Sequence, residues 1–279
     1  VEQLARLVRS GTTRGSAIYS QNVGGVAMIK NCINFRNFTT GGKIYGETGA
    51  VRDFKFLGNV VFQCTPTLEM SSGSTSMSNV WMDGNVMLGT PVLSYVSLSN
   101  RNEYFVNNVV VNGAFALSET YNAILTNNTV FFPNNNGDSF VQYLSTHFAK
   151  GDLNTVWDYN WYYLGTNLSE HRWSFRTLDI PTAHNFFGGG NLKFNNDVTN
   201  SWQDYSGFDS NSTFNPTWPT NYLTVTAQHL DYDSNSWHIA VVNTTTATNA
   251  PLALGTLGFA QPEPCARVDA QTCRNRVGG

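Results

Sequence analysis

The sequence predicts an all-β chain built as a solenoid of parallel strands, and three observations support this. A short phrase that begins with asparagine returns six times, at spacings of 20 to 32 residues, within the range of structural repeats. Apolar residues follow each asparagine with the period of a strand. The repeated region is rich in Val, Phe, Asn and Gly, with no helical periodicity. The leading residues are Asn31, Asn59, Asn85, Asn108, Asn128 and Asn160.

Apolar residues flank each asparagine on both sides. Because residues two apart in a strand share a face, one inward set precedes a bend and another follows it. An asparagine at that bend, about 4.8 Å from its equivalent, can bond the amide of the next coil. The pattern therefore predicts an internal asparagine ladder in a parallel β-helix. The predicted inward residues are Met28, Phe56, Met82, Phe105 and Leu125 before the bend, and Ile33, Val61, Met87, Val110 and Val130 after it.

An alternative is that these asparagines are ordinary turn residues of an antiparallel β-protein, since Asn is common in turns. One or two copies would fit that alternative equally well. Six copies, each followed by apolar residues, favour the solenoid.

The chain divides into three predicted regions. Residues 1–215 are predicted to form the parallel β-helix with terminal caps. After Pro216 and Pro219, two alternating runs at 222–226 and 237–242 predict a hairpin, and hence a small β-module at 216–260. Residues 261–279 form a tail that contains Pro and Cys.

The charge and the hydrophobic pattern of the chain limit the classes of partner that it is expected to bind. The net charge is −3 and only 13% of residues are charged, so electrostatics gives no case for nucleic acid or an anionic membrane. No apolar run approaches the roughly 20 residues of a membrane-spanning helix. We expect neither a nucleic-acid partner nor a membrane span.

The four cysteines fall into two pairs with different expectations. Cys265 and Cys273 lie close together in the tail, and we predict a disulfide between them, which suits an oxidising compartment. Cys32 and Cys64 fall in different columns of the predicted stack, too far apart to bridge.

Several segments resemble one superfamily. They are Gly15–Asn22, Gly58–Phe62 and the run from Ser201 to Ser212. With the asparagine coils, they resemble the right-handed parallel β-helix, or pectate-lyase-like, superfamily, and its bacterial secreted members in particular. The resemblance implies a secreted or extracellular protein. Many members are polysaccharide lyases, hydrolases or epimerases, and others are adhesins or structural fibres.

The sequence departs from the catalytic patterns of that superfamily. Polygalacturonase-like members carry a Gly-His-Gly and paired aspartates. The comparable place here reads Gly15-Ser16-Ala17, and no Asp-Asp pair occurs. Whether the chain is an enzyme therefore stays open.

Alignment by the asparagines places a base beside two aromatic residues in one outward column. A lysine can bind carboxylates, and aromatic rings offer apolar surface to sugars. Predicted polysaccharide-binding residues are Trp81, Tyr104, Lys43 and Tyr45, and weaker catalytic candidates are Lys55, Arg52, Asp53 and Asp83. A lyase would use Lys55 or Arg52 as the base, and a hydrolase would use the two aspartates. The alternative is that all of these are solvated surface residues.

The sequence shows no motif for binding a metal ion or a cofactor. The five histidines all occur late in the chain, without metal-ligand spacing. The run Asp231–Asn235 lacks the glycine and the distal glutamate of a calcium loop. We expect no cofactor. Calcium would suit lyase chemistry, but no motif here indicates it.

Apolar residues also occupy outward positions beside the predicted ladder. A continuous apolar stripe usually means that something covers it. This stripe supports a second function class, a non-catalytic structural, adhesion or fibre-assembly β-helix that self-associates. Its residues are Val60, Phe62, Val86, Leu88, Val109, Val111 and Phe131.

Overall fold

Parallel strands in stacked sheets dominate the computed structural model of the protein. The structure describes residues 16, 18–20, 22, 24–35, 40–46, 51–64, 67–72, 76–93, 100–113, 115–118, 120–131, 139–145, 154–163, 172–177, 208–215, 218–230 and 233–245. Strands, and no helix, form the regular structure of this part of the chain. The predicted all-β class with parallel strands is confirmed.

Three seven-stranded parallel sheets make up the first compact unit, Val1–Pro219. The strands are numbered along the chain. Sheet A contains β1 (Ile18–Ser20), β4 (Gly42–Gly46), β7 (Leu68–Ser72), β10 (Pro91–Leu93), β13 (Phe115–Ser118), β17 (Ser139–Ser145) and β20 (Arg172–Thr177). Sheet B contains β2 (Ala27–Lys30), β5 (Val51–Leu57), β8 (Met77–Asp83), β11 (Asn100–Val106), β14 (Thr120–Tyr121), β15 (Ile124–Thr126) and β18 (Val156–Asp158). Sheet C contains β3 (Ile33–Phe35), β6 (Val60–Phe62), β9 (Val86–Leu88), β12 (Val109–Val111), β16 (Thr129–Phe131), β19 (Trp161–Tyr163) and β21 (Thr213–Asn215).

The chain visits sheets B, C and A in turn, and each strand pairs in parallel with its equivalent one repeat later. Registers are continuous across β5, β8 and β11 of sheet B, as in Lys55 opposite Trp81 and Trp81 opposite Tyr104. This order is consistent with a β-solenoid. Equivalent residues therefore form columns about 4.8 Å apart from strand to strand.

The core consists of the inward columns of these sheets. Phe54, Phe56, Phe105 and Trp157 of sheet B are buried. On sheet C, the inward column comprises Val61, Met87, Val110, Val130 and Tyr162, all fully buried. Each fully buried apolar side chain stabilises the fold by about 1.5–3 kcal/mol, which holds the stack together and fixes its register.

A left-handed residue makes the corner between sheets B and C. It stands directly before each ladder asparagine and turns the chain in two residues. Glycine and asparagine tolerate positive φ best, which explains the residue types found there. The corner residues are Asn31, Gly58, Gly84, Asn107, Asn127 and Tyr159, with φ between 54° and 65°.

The first coil is one residue out of the predicted register. Ile33 pairs with Val60, so Cys32, and not Asn31, occupies the ladder column. Asn31 is the left-handed corner residue. Met28 and Ile33 consequently point outward and are exposed, so their predicted inward placement was wrong.

The second compact unit, Thr220–Gly279, contains an antiparallel pair formed by β22 (Leu223–Leu230) and β23 (Asp233–Asn243). Both strands extend beyond the predicted runs. Tail residues Cys265 and Cys273 lie outside the described residues, so their disulfide stays a prediction. Of the described residues, Cys32 and Cys64 are not joined in a disulfide.

Candidate functional site

A ladder of buried asparagines positions the strands of sheets B and C. The side-chain oxygen of each asparagine accepts a hydrogen bond from the backbone N–H of the preceding coil, at 2.8–3.0 Å. From Asn85 onward, it also accepts one from the preceding asparagine's Nδ2, at 2.9–3.2 Å. Each Nδ2 donates a further bond to a backbone carbonyl of the preceding coil. The ladder members are Asn59, Asn85, Asn108, Asn128 and Asn160.

A polar network closes the ladder after Asn160. The Asn160 backbone N–H donates to Ser212 Oγ at 2.8 Å, and its Nδ2 donates to Asp209 Oδ1 at 3.2 Å. The buried Tyr162 hydroxyl donates to the Asp209 carboxylate at 3.2 Å and accepts from Trp157 Nε1 at 3.0 Å. Burial, and then the Asp209 charge, raise the pKa of Tyr162 well above its ordinary value. This hydroxyl therefore stays protonated.

The outer face of sheet B brings together three predicted site residues. Lys55, Trp81 and Tyr104 occupy one column on β5, β8 and β11. The rings of Trp81 and Tyr104 stack with centroids 3.8 Å apart and planes 12° apart. Each ring therefore gives one face to the other. Trp81 is 38% exposed despite this stack.

A second outward column runs parallel to the first. It contains Arg52, Ser78 and Arg101, aligned on the same three strands. Both arginines are exposed. The Arg101 guanidinium lies over the ring of Tyr121, 6.0 Å from its centroid, a contact that favours a cation. The sheet B patch is defined here as Arg52, Lys55, Ser78, Trp81, Arg101 and Tyr104.

The cations of the sheet B patch differ from the cation predicted on sheet A. Lys43 forms an ion pair with Glu69, Nζ to Oε1, at 2.9 Å. Among the residues that the structure describes, Arg52, Lys55 and Arg101 form no ion pair. Within the described part of the chain these three charges have no acidic partner, whereas the charge of Lys43 is compensated by Glu69.

A second, outer ladder separates the two columns of the sheet B patch. Asn102 Nδ2 donates to Asn79 Oδ1 at 2.9 Å, and Asn79 Nδ2 donates to Asp53 Oδ1 at 3.0 Å. These residues, with Asn122, have φ between 52° and 57°. The left-handed residue interrupts the strand alternation, so residues 52 and 55 both face outward although three positions apart.

Sequence reasoning missed this outer ladder, although a signal was present. Asp53, Asn79, Asn102 and Asn122 each stand six residues before an inner-ladder asparagine. The fixed offset marks a column. Because Asp and Asn adopt positive φ more readily than other residues with side chains, the recurrence could have indicated a left-handed position.

The two aspartates predicted for hydrolysis do not form a close pair. Asp53 accepts its hydrogen bond from Asn79, and Asp83 Oδ1 accepts one from Asn107 Nδ2 at 2.9 Å. They stand on neighbouring strands, four residues apart in register. This places their backbones roughly 13 Å apart along the strand direction, and each carboxylate accepts from a different asparagine.

The loop after Phe208 is clamped by Asp158 on the last strand of sheet B. Asp158 Oδ1 accepts from the Asn211 backbone N–H at 2.7 Å, and Oδ2 accepts from Asn211 Nδ2 at 2.6 Å. Partial burial raises the pKa of Asp158, but hydrogen bonds from Asn211, Tyr159 and Ser210 outweigh it, so the pKa lies below its ordinary value.

The predicted apolar stripe lies on the outer face of sheet C, and only part of it is exposed. Phe131 is fully buried under the ring of Trp218, 5.5 Å from its centroid, and Phe62 is buried beside Phe35. Leu88 is exposed, as are Phe35 and Trp161 on the same face. The remaining stripe residues are half-buried.

The described residues contain no group of three or more His, Cys, Asp or Glu side chains arranged to hold a metal ion. None of their elements is a helix long and apolar enough to cross a membrane. The backbone of Tyr45 pairs with Ser71 in sheet A, and its side chain lies outside the described part.

Comparison with protein-family models, with curated proteins and with solved structures finds no match for this chain.

Proposed function

We propose that the protein is a secreted right-handed parallel β-helix of the pectate-lyase-like kind, and that it binds an acidic polysaccharide through the sheet B patch. One observation carries the proposal. Arg52 and Lys55 on β5 and Arg101 on β11 flank the strand of Trp81, and none of the three forms an ion pair with a described residue. The resemblance of the coils supports the handedness, the extracellular location and the polysaccharide.

Each part of the patch suits one feature of an acidic sugar chain. The arginine guanidinium can bind a carboxylate with two parallel hydrogen bonds, and the lysine ammonium supplies a compact charge. The ring edges of Trp81 and Tyr104 combine apolar carbon with N–H and O–H groups. The outer-ladder amides of Asn79 and Asn102 lie between the columns and can bond sugar hydroxyls.

Binding is better supported than cleavage. Asp53 and Asp83 stand four residues apart in register and bond different asparagines, which favours binding over hydrolysis. A lyase mechanism would need Lys55 or Arg52 to remove a proton beside a uronate carboxyl. Purified protein should therefore retain acidic polysaccharide without releasing unsaturated or reducing ends. Release of unsaturated products would make the patch a lyase site with Lys55 and Arg52 as the base candidates.

The test is affinity electrophoresis of the whole chain in gels that contain polygalacturonate or neutral dextran. Retardation by the acidic polymer alone is expected. Arg52→Ala combined with Lys55→Ala should abolish retardation, and Trp81→Ala should weaken it. Lys43→Ala is the matched control, because its cation is already paired with Glu69. Equal retardation of wild type and the patch variants, all folded by circular dichroism, would refute the proposed site.

Self-association through the outer face of sheet C is the second candidate function. The exposed Leu88, Phe35 and Trp161 support it, because they leave apolar surface open beside buried Phe131. Light scattering would then show a defined oligomer that Leu88→Asp dissociates. A monomer at every concentration tested would contradict this candidate.

A further inference from the structure

From the order of charges across sheet B, we propose that the bound polysaccharide runs across the strands and carries its acidic groups on alternate sugars. This inference rests on the proposed function, since it concerns the ligand of the same patch. It adds a ligand direction and a charge spacing, neither of which follows from the resemblance.

Cationic and uncharged strands alternate within the sheet B patch. On β5 the two outward columns hold Arg52 and Lys55, and on β8 they hold Ser78 and Trp81. On β11 they hold Arg101 and Tyr104. Neither column therefore has a positive charge on β8, the middle strand.

The alternation continues beyond β11 in the column of Arg52. There the two columns hold Tyr121 and Ile124, which are uncharged. Before β5, the column of Lys55 holds Met28, and Lys30 stands two residues further along the same outward face of β2. The column of Arg52 therefore reads cationic, uncharged, cationic, uncharged from β5 to β14, whereas the column of Lys55 carries its one cation on β5.

The spacing of the cationic strands sets the spacing of the acidic groups. Arg52 and Arg101 are two strands apart, which is about 9.6 Å at the usual strand spacing. This length is of the same order as one disaccharide. A polymer with one acid per disaccharide can place successive carboxylates over β5 and β11, with its neutral sugar over Ser78 and Trp81.

A polymer with an acid on every sugar fits this surface less well. One carboxylate in two would then stand over β8, where no cation balances it. Removing water from a charge without supplying a partner is unfavourable. A polymer lying along β5 would reach Arg52 and Lys55 but would leave Arg101 and the aromatic stack unused.

The experiment compares hyaluronan, which carries an acid on every second sugar, with polygalacturonate, which carries one on every sugar. Binding is measured by calorimetry of the full chain at equal carboxylate concentration, with dextran as the neutral polymer. We expect hyaluronan to bind about tenfold more tightly, equivalent to 1.4 kcal/mol. Arg101→Ala should remove this preference, since it deletes the second cationic strand.

Ser78→Arg tests the spacing in the opposite direction. It places a cation on β8, so the preference should move toward polygalacturonate, whereas the neutral Ser78→Gln should not move it. Equal affinity of the wild type for both acidic polymers, or tighter binding of polygalacturonate, would overturn the alternation and leave the proposed function standing. Failure of both acidic polymers to bind would refute the proposed function itself.

Discussion

Two asparagine ladders accompany sheet B, an inner one at its corner with sheet C and an outer one between its two outward columns. The ladders share a residue type and a spacing but differ in direction and environment. In the inner ladder, Nδ2 donates to the oxygen of the next coil, as Asn85 donates to Asn108. In the outer ladder, Nδ2 donates to the preceding coil, as Asn102 donates to Asn79. The inner asparagines are almost fully buried, whereas the outer ones are part-exposed.

Each ladder ends at an acceptor that suits its direction. The inner ladder runs toward the end of the stack, where Asp209 and Ser212 accept from Asn160. The outer ladder runs the other way and ends at Asp53, whose carboxylate can only accept. Burial decides how much each hydrogen bond contributes to stability, because water can replace a lost partner in the part-exposed outer ladder but not in the buried inner one.

The largest expected effect follows from breaking the inner ladder. Asn108→Ala leaves the N–H and Nδ2 groups of Asn85 without their acceptor, and the Met82 carbonyl loses its donor. Each unsatisfied buried group costs about 1–3 kcal/mol, so we expect the free energy of unfolding to fall by about 3–5 kcal/mol. Urea unfolding measures this fall in the free energy of unfolding. A loss below about 1 kcal/mol would mean that water reaches the corner and satisfies these groups.

The closing network of the inner ladder should show an intermediate effect. Tyr162→Phe removes the acceptor of Trp157 Nε1 and one donor to Asp209, so we expect a loss of about 2 kcal/mol at neutral pH. The raised pKa adds a pH dependence. The native protein keeps this proton above about pH 10, where an unfolded tyrosine loses its own. The contribution is therefore fully present below that pH and is lost as the pH rises.

Urea unfolding at about pH 7 and pH 11 checks both parts, since an ordinary tyrosine titrates near 10. The difference in unfolding free energy between wild type and variant should be smaller at the higher pH. An unchanged difference would indicate that Tyr162 titrates alike in the folded and unfolded states.

Comparison with the sequence prediction shows which ladder a sequence can reveal. The inner ladder was predictable because its asparagines are bounded by apolar residues such as Phe56 and Val61, which face the core. The outer ladder has exposed neighbours of mixed type, including Arg52 and Ser78, and leaves no hydrophobic period. Its signal was the constant six-residue offset, which has meaning only once the inner register is known.

The register error in the first coil has a related cause. The sequence pattern places Asn31 in the ladder column because it is an asparagine. The corner, however, consists of a left-handed residue that is followed by the ladder residue. Asn107 and Asn127 precede ladder asparagines in the same way, so Asn31 belongs with them and Cys32 with the ladder. The alignment of the later coils predicts one column for Lys55, Trp81 and Tyr104, and the strand register confirms that column. Their role as a binding site stays a prediction.

A smaller effect is expected in the outer ladder. Asn102→Ala must adopt positive φ with an ordinary side chain, which costs about 1 kcal/mol, and the lost hydrogen bond to Asn79 is replaced by water. Asn102→Gly is the control, because glycine adopts that conformation without strain. Urea unfolding should rank Gly close to wild type and above Ala. Equal losses in Gly and Ala would show that the hydrogen bond, and not the backbone, dominates.

The smallest effect concerns Asp158, which is only partly buried and stands in an outward column. Its lowered pKa means that the charged form is favoured in the folded state. Its contribution is therefore present above the ordinary aspartate value of about 4 and is lost as the pH falls through the lower, folded value. Asp158→Asn should reduce the loss of stability between about pH 6 and pH 3, while neutral stability changes less than in the other variants because solvent screens the site. Thermal unfolding over this range gives the comparison. An identical acid profile in wild type and variant would mean that the Asn211 clamp contributes nothing to folding, and the loop after Phe208 would then depend on Asp209 and the inner network alone.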